Sequence, residues 1–211
     1  MLDDSLTRIA QWLAAHAPRI LNENLNPGAT ESQLAHLESA IGKPLPDDYK
    51  GLYRHYNGLD EEGENAGNFF YGLTFLPLAE VEANYRHWAQ ATQTGSLQKA
   101  HFAIKSDSAR RPHWLALGFD NSHAWLCLDL DPAEGGTYGQ VILLDEEHET
   151  AFVVAESVEA LLLDFARDLE AGRYSREPEA VEEGQDHLLP DDGIALVNWY
   201  RAERWAAVHT L

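Results

Sequence analysis

The side chains best placed to do chemistry are two carboxylates, Asp129 and Asp131, at the end of the run Trp125-Leu126-Cys127-Leu128-Asp129-Leu130-Asp131-Pro132. Residues two apart on a strand point to the same face. Such a pair could hold a cation or divide the roles of general acid and base. Asp131-Pro132 reads equally as a strand end entering a turn, where an Asp side chain bonds its own backbone. Three of the ten histidines, His113, His123 and His148, fall near strands, but no pair has the spacing of a zinc motif. His148-Glu149 lacks the second half of His-Glu-x-x-His. Cys127 shares a strand face with Trp125 and Asp129 while Leu126, Leu128 and Leu130 take the other. A nucleophilic thiol needs a partner base and a lowered pKa, and with no Cys–His signature in view an inert thiol is expected. Gly135-Gly136-Thr137-Tyr138-Gly139 fits neither a phosphate loop nor a dinucleotide fingerprint and reads as a flexible connection. No Gly-x-Ser-x-Gly elbow is present. These residues give no catalytic, cofactor-binding or metal-binding assignment.

Charge points elsewhere. The chain carries 35 acidic side chains against 15 Lys and Arg, a formal charge of −20. Nucleic acid and anionic membrane are repelled by that balance, whereas a basic protein partner is attracted and meets the chain faster. An acidic surface also serves solubility alone. The charge is uneven, with 16 acidic and 3 basic residues in the stretch 145–192. Two dense clusters fall in polar turns: Asp60, Glu61, Glu62 and Glu64, then Asp145, Glu146, Glu147 and Glu149. Trp114 and Trp125 fall on expected strands between them. They are core packing by default and binding anchors if exposed, and Trp88 has the same two readings.

The elements that must position these groups follow from hydrophobic period. Leu6, Ile9, Leu13, Ala17 and Ile20 have helical spacing over residues 5–21. Thr30 with Gln33 makes a capping box for a helix over 30–41, which Gly42 and Pro44 stop. Pro46, Asp47 and Asp48 open another over 47–56, ended by Asn57-Gly58. Residues 69–76 read as a strand, 78–88 as a helix and 92–99 as a loop. Strands are expected at 101–105, 113–117, 123–129, 140–145 and 150–155, too closely spaced for crossover helices and so antiparallel. Ser157 caps a helix to about Glu170, stopped by Gly172. Residues 174–192, acidic with Pro178, Gly184 and Pro190, read as a mobile linker. A final helix over 194–208 carries Val197, Trp199, Tyr200 and Trp205, expected to dock on the main domain, with self-association as the second reading. The single cysteine, an N-terminus unlike a signal peptide and the lack of a long apolar run point to a cytoplasmic chain.

Three stretches carry a family likeness. The first runs Ile41-Gly42-Lys43-Pro44-Leu45-Pro46-Asp47-Asp48-Tyr49 into Leu52-Tyr53-Arg54-His55-Tyr56-Asn57-Gly58. The second is Phe70-Tyr71-Gly72-Leu73-Thr74-Phe75-Leu76-Pro77-Leu78-Ala79-Glu80-Val81. The third joins His113-Trp114-Leu115-Ala116-Leu117-Gly118, Leu128-Asp129-Leu130-Asp131-Pro132 and Gly139-Gln140-Val141-Ile142. In this order and spacing the chain resembles the SUKH superfamily, its Smi/Knr branch, over roughly residues 30–172. The resemblance implies an α+β fold, a twisted and mainly antiparallel sheet flanked by helices, in a domain of residues 1–173. Residues 174–211, an acidic linker plus a C-terminal helical extension, lie outside the pattern. It also implies a binding protein rather than an enzyme, favours the turn reading of Asp131-Pro132, and transfers no active site. Bacterial relatives suggest immunity proteins, which here would neutralise a basic protein toxin by occlusion. The toxin would contact Asp60, Glu61, Glu62, Glu64, Asp145, Glu146, Glu147 and Glu149, with Trp114 and Trp125 as anchors. A fungal relative suggests the alternative, a regulatory scaffold of cell-wall synthesis. No cofactor is expected under either reading.

Overall fold

The computed structural model describes residues 1–91 and 95–210. Helix α1 (Leu2–His16) turns through a short π-helical segment, Ile20–Asn24, into β1 (Leu25–Pro27). Helix α2 (Glu31–Ile41) has both halves of the capping box that its sequence encodes, and Gly42 ends it in the left-handed region at φ 67°. Helix α3 (Asp47–His55) leads into β2 (Tyr56–Leu59), which pairs antiparallel with β1. Asp48 works outside its own helix. One carboxylate oxygen accepts from Glu159 N–H at 3.0 Å. That ties α3 to the start of a later helix, α5 (Val158–Glu170). Gly58 is required twice over: its φ is 75°, and a Cβ there would lie 2.2 Å from Pro77 N.

The central sheet has six strands: β3 (Thr74–Phe75), β4 (Lys99–Ala100), β5 (Trp114–Phe119), β6 (Ala124–Asp129), β7 (Gln140–Asp145) and β8 (Thr150–Ala155). Their order is β3-β5-β6-β7-β8-β4. Every pairing is antiparallel except β4 with β8. The architecture is the expected α+β one. Helix α4 (Leu78–Gln90) packs beside β5, and α5 (Val158–Glu170), capped by Ser157 Oγ, packs against α1 and α3. Both faces of the sheet are covered. Leu126, Leu128 and Leu130 face the main core, while Trp114, Cys127, Ile142 and Leu144 join Trp88, Leu97 and Ile104 in a second cluster. The two-face alternation read for β6 is therefore the observed one.

Several stretches differ from expectation. Residues 69–76 hold a 3₁₀ turn, Phe70–Gly72, and a strand only at Thr74–Phe75, because Tyr71 and Gly72 take positive φ; Lys99, expected in a loop, opens β4. Residues 101–105 form a turn, not a strand. Phe102 is 73% exposed there while Ala103 and Ile104 are buried, a pattern without period two. The loop expected over 92–99 is described only from residue 95, and residues 92–94 lie outside the described residues.

The stretch after Gly172 is built, not a linker. Strand β9 (Tyr174–Arg176) pairs antiparallel with β10 (Leu188–Pro190), with helix α6 (Pro178–Glu182) between them. The final helix is a chain of tighter turns. Trp199, Arg201, Ala202 and Trp205 donate to carbonyls three residues back, and Glu203–Thr210 is 3₁₀. Trp199, Ala202, Trp205 and Val208 are all buried in the main core. Among the described residues no helix is long and apolar enough to cross a membrane.

Candidate protein-interaction site

Antiparallel pairing sends the hairpin turns 120–123 and 146–149 out at one end of the sheet, where β5 stops at Phe119, β6 starts at Ala124 and β7 stops at Asp145. Loop 60–64 joins them. Glu61 Oε1 accepts from Thr74 Oγ1 at 3.0 Å, and Asn121 Nδ2 donates to the same Thr74 oxygen at 3.4 Å. The two acidic clusters, some eighty positions apart in sequence, thus share one rim.

Backbone-binding carboxylates shape each turn. Asp120 Oδ1 accepts from the N–H groups of Ser122, His123 and Ala124, all at 2.9 Å. Asp60 Oδ1 accepts from Glu62 N–H at 2.9 Å. Asp145 accepts from His148 N–H at 2.9 Å and from Trp199 Nε1 at 2.8 Å, and it lies 2.9 Å from His148 Nδ1.

The sequence-derived contact set divides accordingly. Asp60, Glu61, Glu62, Glu64 and Glu147 are exposed on the rim. Glu146 is partly buried and paired with Arg110 at 2.5 Å, and Glu149 is engaged by Gln98. Asp145 and Trp114 require correction: both are 0% exposed and offer nothing to a partner. Asp145 is buried because its lone pairs hold the turn and the C-terminal segment. Trp114 is buried because the second face of the sheet is covered rather than open. Trp125 is partly buried, stacked on Phe119 at 3.7 Å and edge-on to Trp88 at 5.5 Å. The sequence analysis left Asp120 and Asn121 out of the contact set and weighed His123 only as a metal ligand. His123 Nε2 lies 3.6 Å from Glu147.

The paired carboxylates sit at the other end of the sheet and are structural. Asp131 is bound by Lys105 Nζ at 2.6 Å and Arg111 Nη2 at 2.7 Å. Burial works to raise its pKa, and those two cations overcome it, leaving the carboxyl lowered. Asp129 accepts from Asp131 N–H and from Gln140 Nε2, both at 2.9 Å. This is the strand-to-turn arrangement. Burial raises the Asp129 pKa more than these bonds lower it. Burial, with Asp129 nearby, also pushes the Cys127 thiol well up, away from the reactive thiolate. Among the described residues no three His, Cys, Asp or Glu side chains converge as metal ligands.

The Asp129 shift has a testable sign. A carboxyl with a raised pKa in the fold binds protons more tightly there than in the unfolded chain. Its contribution to stability is greatest below the unfolded value and falls as pH rises through the folded one. Stability of the wild type relative to Asp129→Asn should therefore decline as pH is raised from about 3 towards neutrality. Urea unfolding of both proteins across that range checks it, and a wild type that gains stability relative to Asp129→Asn as pH rises contradicts the assignment.

The family model described as SMI1 / KNR4 family (SUKH-1) matches residues 28–164. The chain belongs to that family. Its SUKH-1 match spans α2 to the first half of α5, and so includes loop 60–64 and both hairpin turns of the rim. The cell wall biosynthesis/cell cycle regulator smi1 of Schizosaccharomyces pombe is 30% identical over 228 residues, covering 100% of this chain and 42% of the relative. The cell wall assembly regulator SMI1 of Saccharomyces cerevisiae is 26% identical, covering 88% of this chain and 43% of its own length. A glucan synthesis regulatory protein of Neurospora crassa is 24% identical over 81% of this chain and 38% of itself. The chain spans less than half the length of these SUKH-1 relatives.

Proposed function

We propose that this chain is a non-enzymatic regulatory module that acts by binding another protein, with the acidic rim as its docking face. The observation that carries this reading is its membership of the SUKH-1 family beside fungal relatives named as regulators of cell-wall and glucan synthesis. Toxin neutralisation, the first expectation from the resemblance, has no counterpart in the names of these relatives, so regulation takes precedence. The formal charge of −20 and the exposed Glu62, Glu64 and Glu147 support a basic partner.

The rim geometry selects the variant. Glu61 and Glu146 have structural partners, so reversal is confined to Glu62, Glu64 and Glu147, each changed to Lys. Proteins captured by the wild-type chain are identified and purified, and their association rates are measured against ionic strength. The triple reversal is expected to slow association at least tenfold at low salt and to flatten its salt dependence. Stability should move by less than about 0.5 kcal/mol per substitution. Association that ignores both salt and the reversal rules out the rim. A captured partner that proves to be a secreted toxin restores the neutralisation reading.

A further inference from the structure

Loop 64–68 meets residues 185–188 through a set of bonds that reads backbone. Asn65 Oδ1 accepts from Asp186 N–H at 2.7 Å, and Asn65 Nδ2 donates to the Asp186 carbonyl at 3.1 Å. Asn68 repeats the grip on Leu188, accepting from its N–H at 2.7 Å and donating to its carbonyl at 2.8 Å. Ala66 N–H donates to Gln185 Oε1, Ala66 carbonyl meets His187 Nδ1, and the Glu64 carbonyl accepts from Gln185 Nε2. Asn65 and Asn68 are 0% and 2% exposed.

We propose that Asn65 and Asn68 form a binding site for an extended peptide of the pattern Asp-x-Leu, filled here by the chain's own residues 185–188, and able to take such a segment in trans. Three features support it. The amides are set by groups outside the bound segment. Asn24 Oδ1 accepts from Asn65 Nδ2 at 2.5 Å, Asn24 Nδ2 donates to the Asn65 carbonyl at 2.7 Å, and Asn68 Nδ2 also reaches the Gly72 carbonyl at 3.1 Å. The receptor is thus oriented by residues 24–72, while the segment it holds lies beyond the family match at 28–164.

The second feature is the mode of contact. Buried apolar packing alone would fix a tail, and buried amides are costly unless every bond is made. Gripping both N–H and C=O of alternate residues is how a sheet edge captures an extended peptide: backbone bonds give affinity, and alternate side chains give specificity. The third feature is those side chains. Leu188 is 1% exposed within the main core. Asp186, 3% exposed, accepts from Arg19 N–H at 2.9 Å and from Arg176 Nη1 at 3.1 Å. The intervening His187 is partly exposed, and its ring adds contacts to the same loop, Nδ1 at 2.8 Å from the Ala66 carbonyl and Nε2 at 2.7 Å from Asn68 Nδ2.

The test uses the full chain with its own segment weakened, Asp186→Ala with Leu188→Ala, and a fluorescent peptide of residues 183–192. Anisotropy should show the peptide binding this variant at least tenfold more tightly than wild type, where the resident segment competes. A peptide N-methylated at the nitrogen corresponding to Leu188 keeps every side chain but loses the bond to Asn68, and it should bind at least tenfold more weakly. If the double variant unfolds on its own, the peptide should restore its native circular dichroism. A folded variant with no saturable binding at millimolar peptide overturns the proposal. So does an unfolded variant that the peptide fails to restore, or equal binding of the N-methylated peptide.

Discussion

A chain ended after Gly172 is expected to lose cooperative folding. The removed residues supply Tyr174, Leu188, Ile194, Leu196, Trp199, Trp205 and Val208 to the same buried core as α1, α5 and the sheet. Phe152 packs on Trp199 and Trp205, with ring centroids 5.7 and 5.4 Å away, and Phe165 packs on Tyr174 at 5.3 Å. Full burial of one large apolar side chain is worth about 1.5–3 kcal/mol. Loss of seven removes roughly 10 kcal/mol or more, within reach of the whole stability of a domain at about 5–15 kcal/mol. The polar losses act in the same direction. Asn65, Asn68 and Asp145 lose partners supplied by residues 185–199, at about 1–3 kcal/mol for each group left buried and unpaired. Urea unfolding followed by far-UV and near-UV circular dichroism measures this. The truncated chain should lack near-UV signal and a sharp transition. A steep transition with native-like near-UV signal would show that residues 174–211 are an appendage.

The contrast between this tail and the rest of the chain shows what a sequence can reveal. The capping box at Thr30, the cap at Ser157 and the alternation Leu126, Leu128, Leu130 against Trp125, Cys127, Asp129 are local signals, each complete within a few residues. They appear in the structure as read. Residues 174–192 are acidic and poor in apolar side chains, which is the composition of a linker. Their order comes from long-range polar bonds, Asn65 to Asp186 and Asn68 to Leu188 across some 120 positions, which leave no periodic trace. The 194–208 segment did carry a signal. Trp199, Ala202, Trp205 and Val208 recur every three residues, the period of a 3₁₀ helix and not 3.6.

The rim was legible in part for a related reason. Charge density marks Glu62, Glu64 and Glu147, but burial of a carboxylate depends on distant donors. Asp145 is taken inside by Trp199, 54 residues away. Trp114 and Trp125 could not be sorted into core and surface until the second face of the sheet was seen to be covered by Trp88 and the segment carrying Leu97 and Ile104.

The pair that fastens the last turn should show an asymmetric loss. Arg204 donates to Asp168 through both terminal nitrogens, Nη1 to Oδ2 at 2.5 Å and Nη2 to Oδ1 at 2.6 Å. A forked, charge-assisted contact of this kind is among the strongest polar pairs in proteins. The two partners are unequally buried: the Asp168 side chain on α5 is 9% exposed, the Arg204 side chain 31%. Arg204→Ala strands a buried carboxylate and is expected to cost about 3–5 kcal/mol. Asp168→Ala leaves a guanidinium that can turn towards water, so its cost should be smaller, about 1–3 kcal/mol. The double variant should cost less than the sum, because the stranded charge is gone. Arg204→Lys should recover only part of the loss, since an ammonium cannot make the two-pronged contact. Urea unfolding of the four variants at neutral pH gives the comparison. If Arg204→Ala costs under about 1 kcal/mol, the pair behaves as an exposed surface bridge. The 3₁₀ turns would then be held by the buried Trp199, Ala202, Trp205 and Val208 and by the indole bonds of the two tryptophans. If Asp168→Ala proves the costlier change, the guanidinium and not the carboxylate is the group that depends on its partner, and the burial assigned to the pair is inverted.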